Sequence, residues 1–369
     1  MKGYAKPLNE FICGQQIQFV IPVYQRNYDW LQDNCDQLLS DLVKLIHSGR
    51  TSHFFGSIVT SVAGTGFSRL VIDGQQRLTT ISLLLLAGIK AVNDGLLEIS
   101  NESRKDEAYD LFLNAKYCNS ERKIKLVPIE NDRIAYDKIF NGEDELDEDS
   151  KITRNFRHFY DKLTRKPQQL TFDNLLDAVE HLQIISIELD ADDDAQLIFE
   201  SLNSTGLALT EADKIRNYLL MSLTAEEQQL CFKNYWQKIE SATEYNPTKF
   251  LRDYLTIKQQ LQRPVRLSNI YFEWKKYMDG RDRKQEMVEM LDYACYYQQV
   301  TEAQMETSKL SAKMRHICNI ESDVTNVFFI QFLKYAATNN LSYDEIDKVI
   351  DVVENYLARR IICNMPGNA

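Results

Sequence analysis

No GxxxxGK[ST] loop, no GxGxxG after a strand, no HExxH and no GxSxG occurs in the chain. The common signatures of phosphate-loop enzymes, dinucleotide-binding folds, zinc proteases and serine hydrolases are therefore missing. Histidine is scarce as well. The five residues His47, His53, His158, His181 and His316 include no two at metal-binding spacing, and no segment looks like the histidine motif of a ββα-metal nuclease. Long apolar runs are absent too. The strongest, Ile81 to Ala87, falls far short of the ~20 residues that cross a bilayer. No apolar stretch of signal-peptide length follows Met1–Pro7,. Seven scattered cysteines, an odd number with no CxxC pair, exclude a disulfide framework or zinc knuckle and imply reduced thiols in a cytoplasmic protein,.

What is present is ordinary globular material in generous length. The 369 residues, 44% hydrophobic and 26% charged, suffice for two domains,. Net charge is −11, which argues against a surface that binds nucleic acid everywhere,. The acidity is concentrated in Gly142–Asp149 and Glu188–Asp194, while Arg252, Arg263, Arg266, Lys275, Lys276, Arg281, Arg283 and Lys284 form a basic stretch. That stretch reads equally as a DNA-binding face or as solvated helix surface.

Periodicity orders the chain into mixed α and β first and helices later. Phe19–Val23 is strand-like up to Pro22, and Cys35, Leu38, Leu39, Leu42, Leu45 and Ile46 share one helical face,. Phe54–Val62 and Ser68–Ile72 read as two strands of a hairpin around Gly64–Gly66, and an apolar helix then runs through Val92,. His181–Leu189, rich in β-branched residues, is a late strand leading into a helix at Ala195–Leu202,. Thr210 is an N-cap with Glu211 and Asp213 in the first turn behind it,. Beyond about residue 225 the pattern is helical, with aromatic stripes of core character.

One segment stands out chemically. In Val71-Ile72-Asp73-Gly74-Gln75-Gln76-Arg77 an apolar strand ends in an aspartate and a glycine, and polar residues open a helix. A helix N-terminus offers free N–H groups and a positive dipole end to phosphate. Arg77 suits bidentate phosphate contact, Asp73 suits a Mg²⁺ ion sharing the phosphate oxygens, and Gln75 and Gln76 suit a sugar or an attacking water. The plain alternative is a strand–turn–helix with Asp73 as N-cap and both glutamines in solvent.

Four ordered segments carry a resemblance. Ile72–Thr80, with its DGQQR core, is similar to the signature of the GmrSD-type restriction N-terminal domain family, a distant relative of the ParB/sulfiredoxin-like fold. Ile21–Trp30 resembles its PxYQRxYxW opening, Phe54–Val59 its glycine-marked strand, and Ile198–Asp213 its FxxLNxxGxxLxxxD block. Ala358–Cys363 is similar to the helix end preceding the family's C-terminal HNH nuclease domain, whose histidine motif this chain lacks, so the chain reads as an N-terminal portion. The resemblance implies an NTPase using GTP or ATP with Mg²⁺. Carried over by position, Asp73, Gln75, Gln76 and Arg77 are the catalytic candidates and Asp73 the metal ligand. Gly74, Arg26, Asn203 and Gly206 are the nucleotide-binding candidates. A helix C-cap is the plain reading of the Asn203–Gly206 loop.

The resulting expectation is an α+β fold. A small ParB-like mixed sheet with helices occupies residues 1–225, and a mainly helical domain over 226–369 leads towards the nuclease domain. The function expected is that of an NTP-binding and NTP-hydrolysing sensor module in an anti-phage, modification-dependent restriction protein. No nuclease activity is expected of this chain alone. Two rivals are a DNA-recognition module with nucleotide as a regulatory ligand and a ParB-like core that itself cuts DNA. The resemblance implies sensing of modified DNA, and Pro22, Val23, Tyr24, Gln25 and Trp30 form an apolar surface with polar arms suited to that role, unless Tyr24 and Trp30 are core and Gln25 and Arg26 line the nucleotide site. Expected partners are modified DNA, a nucleoside triphosphate and an HNH nuclease domain or subunit, with no membrane; self-association stays open.

Overall fold

The computed structural model describes residues 1–48, 50–63, 67–118, 120, 123–165, 170–190, 193, 195–202, 209–221, 223–319 and 324–363. The chain divides into two compact units, Met1–Leu207 and Ala208–Ala369.

The first unit is α+β. Its strands are β1 (Lys2–Pro7), β2 (Gln18–Val20), β3 (His53–Ala63), β4 (Ser68–Asp73), β5 (Leu126–Val127) and β6 (Leu182–Leu189). They form one mixed sheet in the order β1-β6-β3-β4-β2-β5. The pairs β1/β6 and β3/β4 are antiparallel, whereas β3/β6, β2/β4 and β2/β5 are parallel. The helices are α1 (Leu8–Ile12), α2 (Gln32–Ser48), α3 (Gln75–Asn93), α4 (Ser103–Ala108), α5 (Glu130–Phe140), α6 (Lys151–Thr164), α7 (Phe172–Glu180) and α8 (Ala195–Leu202).

The hairpin strands, the late strand and the two long helices α2 and α3 lie where the periodicity puts them; the hairpin turn at 64–66 falls outside the described residues. Two strands go unread in the sequence. β1 is an edge strand whose Lys-Gly-Tyr-Ala start is exposed, so it carries no apolar alternation, and β5 has only two residues. Conversely, the strand expected over 19–23 stops at Val20, because Pro22 begins a turn closed by the Gln25 N–H on the Pro22 carbonyl at 3.0 Å,.

α3 forms the axis of the unit. Leu83, Leu84, Leu85 and Ala87 have no exposure at all, and polar Thr79, Thr80 and Ser82 are buried beside them. A helix buried on every side is a core element rather than an amphipathic cover. Each fully buried leucine contributes about 1.5–3 kcal/mol, which anchors the middle of α3 in the core. Around it pack Phe156 and Phe159 of α6, Phe172 and Leu175 of α7, and Ile58 and Ile184 from the sheet.

The second unit is helical: α9 (Glu211–Leu220), α10 (Ala225–Cys231), α11 (Gln237–Ala242), α12 (Thr248–Lys258), α13 (Ile270–Tyr277), α14 (Arg283–Thr301), α15 (Ser308–Asn319), α16 (Val324–Thr338) and α17 (Tyr343–Ile362). Thr210 caps α9 through a capping box with Asp213,. The aromatic stripes are core: Trp236, Phe250, Tyr254, Trp274 and Phe329 are fully buried. Tyr254 and Tyr277 both donate their hydroxyls to buried Glu286, at 2.5 and 2.7 Å, which satisfies a carboxylate that would otherwise be costly to bury.

Candidate functional site

β4 runs into the core through Val71 and Ile72, and Asp73 is its last residue. The chain then turns at Gly74, whose φ of 99° lies in the left-handed region. A Cβ there would come within 3.0 Å of Ile58 Cγ1, so glycine is required by both conformation and space,. Gly74, not Asp73, is the N-cap of α3, and its carbonyl accepts the first helical bond from the Leu78 N–H at 3.0 Å. The first-turn amides of α3 therefore have no use inside the helix and give this end its positive character.

Arg77 lies back over the sheet. Its Nη1 donates to the Ser57 carbonyl at 3.2 Å and stands 3.9 Å from Asp73 Oδ2. The guanidinium fits because β3 carries Gly56 beneath it, with φ 116°; a Cβ at that position would be 2.7 Å from Arg77 Nε. The β3/β6 register shifts between Phe54 and Gly56, and such bulges re-aim local structure at functional sites. Burial holds the Asp73 carboxyl above the usual carboxylate range, against the opposing pull of Arg77, the Gly74 N–H and Arg26,. Arg26 itself reaches Asp29 at 3.7 Å.

The glutamines are not solvated. Gln75 and Gln76 are 7% and 8% exposed. Gln75 Nε2 donates to the Arg26 carbonyl at 2.9 Å and Gln76 Nε2 to the Asn27 carbonyl at 3.2 Å. Gln76 Oε1 accepts the N–H groups of Asp29 and Trp30 at 2.8 and 3.3 Å. Gln25, 5% exposed, returns the contact by donating to the Ile72 carbonyl at 2.8 Å. Two distant sequence stretches thus form one clasp across almost fifty residues of chain.

Other helices close the clasp from behind. The Asp132 carboxylate of α5 accepts the Tyr28 N–H at 2.6 Å, and Asn155 of α6 donates to the Trp30 carbonyl at 2.9 Å and to the Tyr28 hydroxyl at 3.0 Å. The same hydroxyl meets Thr80 of α3 at 2.8 Å. Burial pushes the Asp132 carboxyl up to about 6, with neighbouring Asp29 adding to the rise and the Tyr28 N–H and Lys151 opposing it. Lys151 is ion-paired with Asp29.

The site thus brings together Asp73, Gly74, Gln75, Gln76, Arg77 and Arg26. Of the sensing candidates, Pro22, Tyr24 and Gln25 are buried, Tyr24 at 2% exposure, and present no surface; Val23 and Trp30 are half-buried and accessible. Asn203 and Gly206 lie outside the described residues. Sequence reasoning gave no role to Asp29, Asp132 and Lys151, whose places depend on contacts between distant segments, and saw Gly56 only as a glycine in a strand. The basic stretch is largely engaged. Arg252 pairs with Asp253, Lys276 with Glu273 and Lys284 with Glu227, while Arg281 and Arg283 stack on Tyr277 and Tyr218; Arg263 and Arg266 are exposed. Among the described residues no three His, Cys, Asp or Glu side chains converge to hold a metal ion by themselves.

Residues 8–220 match the family model described as GmrSD restriction endonuclease, N-terminal domain. No curated protein matches the chain.

Proposed function

The chain belongs to the family of GmrSD restriction endonuclease N-terminal domains, and on that footing we propose that its first unit binds and hydrolyses a nucleoside triphosphate while sensing modified DNA. Membership makes it a module of a restriction system; the nucleotide chemistry is our reading of the motif. The observation that carries it is the Asp73–Arg77 pair, a raised carboxyl 3.9 Å from a guanidinium at the N-terminus of a core helix.

In this reading Arg77, Arg26 and the first-turn amides of α3 receive the phosphates, replacing the lysine of a phosphate loop. Asp73 stands beside Arg77 at that helix start, which fits a hard cation that takes a protein carboxylate and completes its shell with phosphate and water oxygens. Bound there, Mg²⁺ would neutralise charge on the terminal phosphate. Gln75 and Gln76 act as positioning residues, because their amides are committed to the loop backbone. Sensing falls to the half-buried, accessible side chains of the same loop, Val23 and Trp30, rather than to buried Tyr24 and Gln25.

Phosphate release from GTP and ATP, with and without modified DNA, tests the reading. Arg77→Ala should keep the fold, since the side chain is partly exposed, and lower turnover by at least about a hundredfold. A folded Arg77→Ala protein with unchanged hydrolysis would remove the motif from the mechanism. No turnover by the unaltered chain, together with nucleotide binding that changes DNA affinity, would favour nucleotide as a regulatory ligand.

A further inference from the structure

The first unit contains a cavity of about 470 Å³ between α3, α5 and α6 and the Asn141–Leu146 segment. Arg77 and Lys90 are thirteen residues apart on α3, so the cavity lies about 20 Å along the helix from the motif. We propose that it is a second ligand site, selective for a small amphipathic organic cation with a flat apolar body and one ammonium group.

Its floor is apolar, built from Leu86 and Ile89 of α3, Ile139 of α5 and Phe156 of α6. One wall is the aromatic pair Tyr109 and Phe140, with ring centroids 5.7 Å apart. A space of this size with this lining suits a ring system rather than water or an inorganic ion.

The mouth decides the sign of the charge. Its two cations are already used. Lys90 pairs with Asp94 at 3.1 Å and lies 5.7 Å from the Tyr160 ring centroid, while Arg157 pairs with Glu148. Asp94 in turn accepts the Tyr160 hydroxyl at 2.6 Å. An anion at this rim would have to compete with Asp94 and Glu148 for the two cations. Glu143 and Asp144 also line the cavity, both are exposed, and neither has an ion-pair partner among the described residues. The C-termini of α3 and α5, at Asn93 and Phe140, both lie at the cavity and add negative dipole ends,. An apolar body with an ammonium group matches floor and mouth together, and a carboxylate on the same body would meet two unpaired carboxylates and only cations already engaged with Asp94 and Glu148.

The test uses the full chain and two probes of one shape, tryptamine and indole-3-propionate, titrated calorimetrically and by amide chemical shifts. Tryptamine should bind in the submillimolar to millimolar range, at least about tenfold tighter than the anion. Glu143→Gln combined with Asp144→Asn, two exposed positions that fold does not need, should weaken tryptamine about fivefold and leave the anion unchanged or improved. Ile89→Trp fills the floor and should abolish binding. Equal affinity for both probes, binding of neither, or tryptamine binding indifferent to both substitutions overturns the proposal.

Discussion

Replacing Gly56 by alanine separates two contributions that meet at one position. The backbone has φ 116°, where a side chain is strained, and the new Cβ would fall 2.7 to 3.0 Å from the Arg77 guanidinium atoms. The strain costs about 1–2 kcal/mol. The crowding is relieved differently, because the guanidinium is the far end of a flexible side chain and will swing away. It then loses the Ser57 carbonyl at 3.2 Å and the neighbourhood of Asp73, worth about 1 kcal/mol together. The single variant should therefore lose about 2–3 kcal/mol, or roughly 5–10 °C in Tm for a unit of this size. In an Arg77→Ala background only the strain remains, so the second cost should shrink to about 1–2 kcal/mol and the cycle should show a coupling near 1 kcal/mol. Urea denaturation of the four proteins measures it. A Gly56→Ala cost that is the same with and without the arginine side chain would refute the packing described here.

Gln76→Ala strips the acceptor from the Asp29 and Trp30 N–H groups and should cost about 1–3 kcal/mol; amide exchange at these two positions should accelerate sharply while exchange in the middle of α3 does not, and uniform acceleration would contradict a local clasp. Asp132 gives a pH dependence. Its carboxyl sits at about 6 in the fold against an ordinary 3.8, so its stabilising contribution is complete below about pH 4 and is lost as pH rises through about 6. Asp132→Asn keeps an oxygen for the Tyr28 N–H and removes that titration. The variant should be more stable than the parent at pH 7 by about 1–2 kcal/mol and should lose this advantage near pH 4.5; a difference independent of pH would show that Asp132 does not titrate there.

Local signals account for what the sequence revealed. The β3/β4 hairpin strands, the apolar run of α3 and the amphipathic face of α2 all follow from periods within a dozen residues. Asp73, Gly74 and Arg77 were legible for the same reason, since strand end, turn and helix start lie within five positions. Gln75 and Gln76 were not. A glutamine at a helix start reads as solvated or ligand-facing, and only the approach of residues 26–30 from far along the chain turns it into a buried clasp. Tyr24 is ambiguous in a different way: its apolar ring beside Gln25 and Arg26 reads equally as recognition surface or as core, and burial in the fold decides for core.

The clasp also bears on how this surface can diversify. Gln75, Gln76 and Asp132 hold the loop through its backbone, and Asn155 holds the Trp30 carbonyl in the same way. The path of residues 23–30 is thus written mostly in side chains that lie elsewhere. Letters at Val23, half-buried, and Asn27, exposed, can change without redrawing that path, whereas Trp30 packs against the core. A library randomised at these two codons should stay folded across most of its members, so the surface of this loop has room to vary while its path is kept.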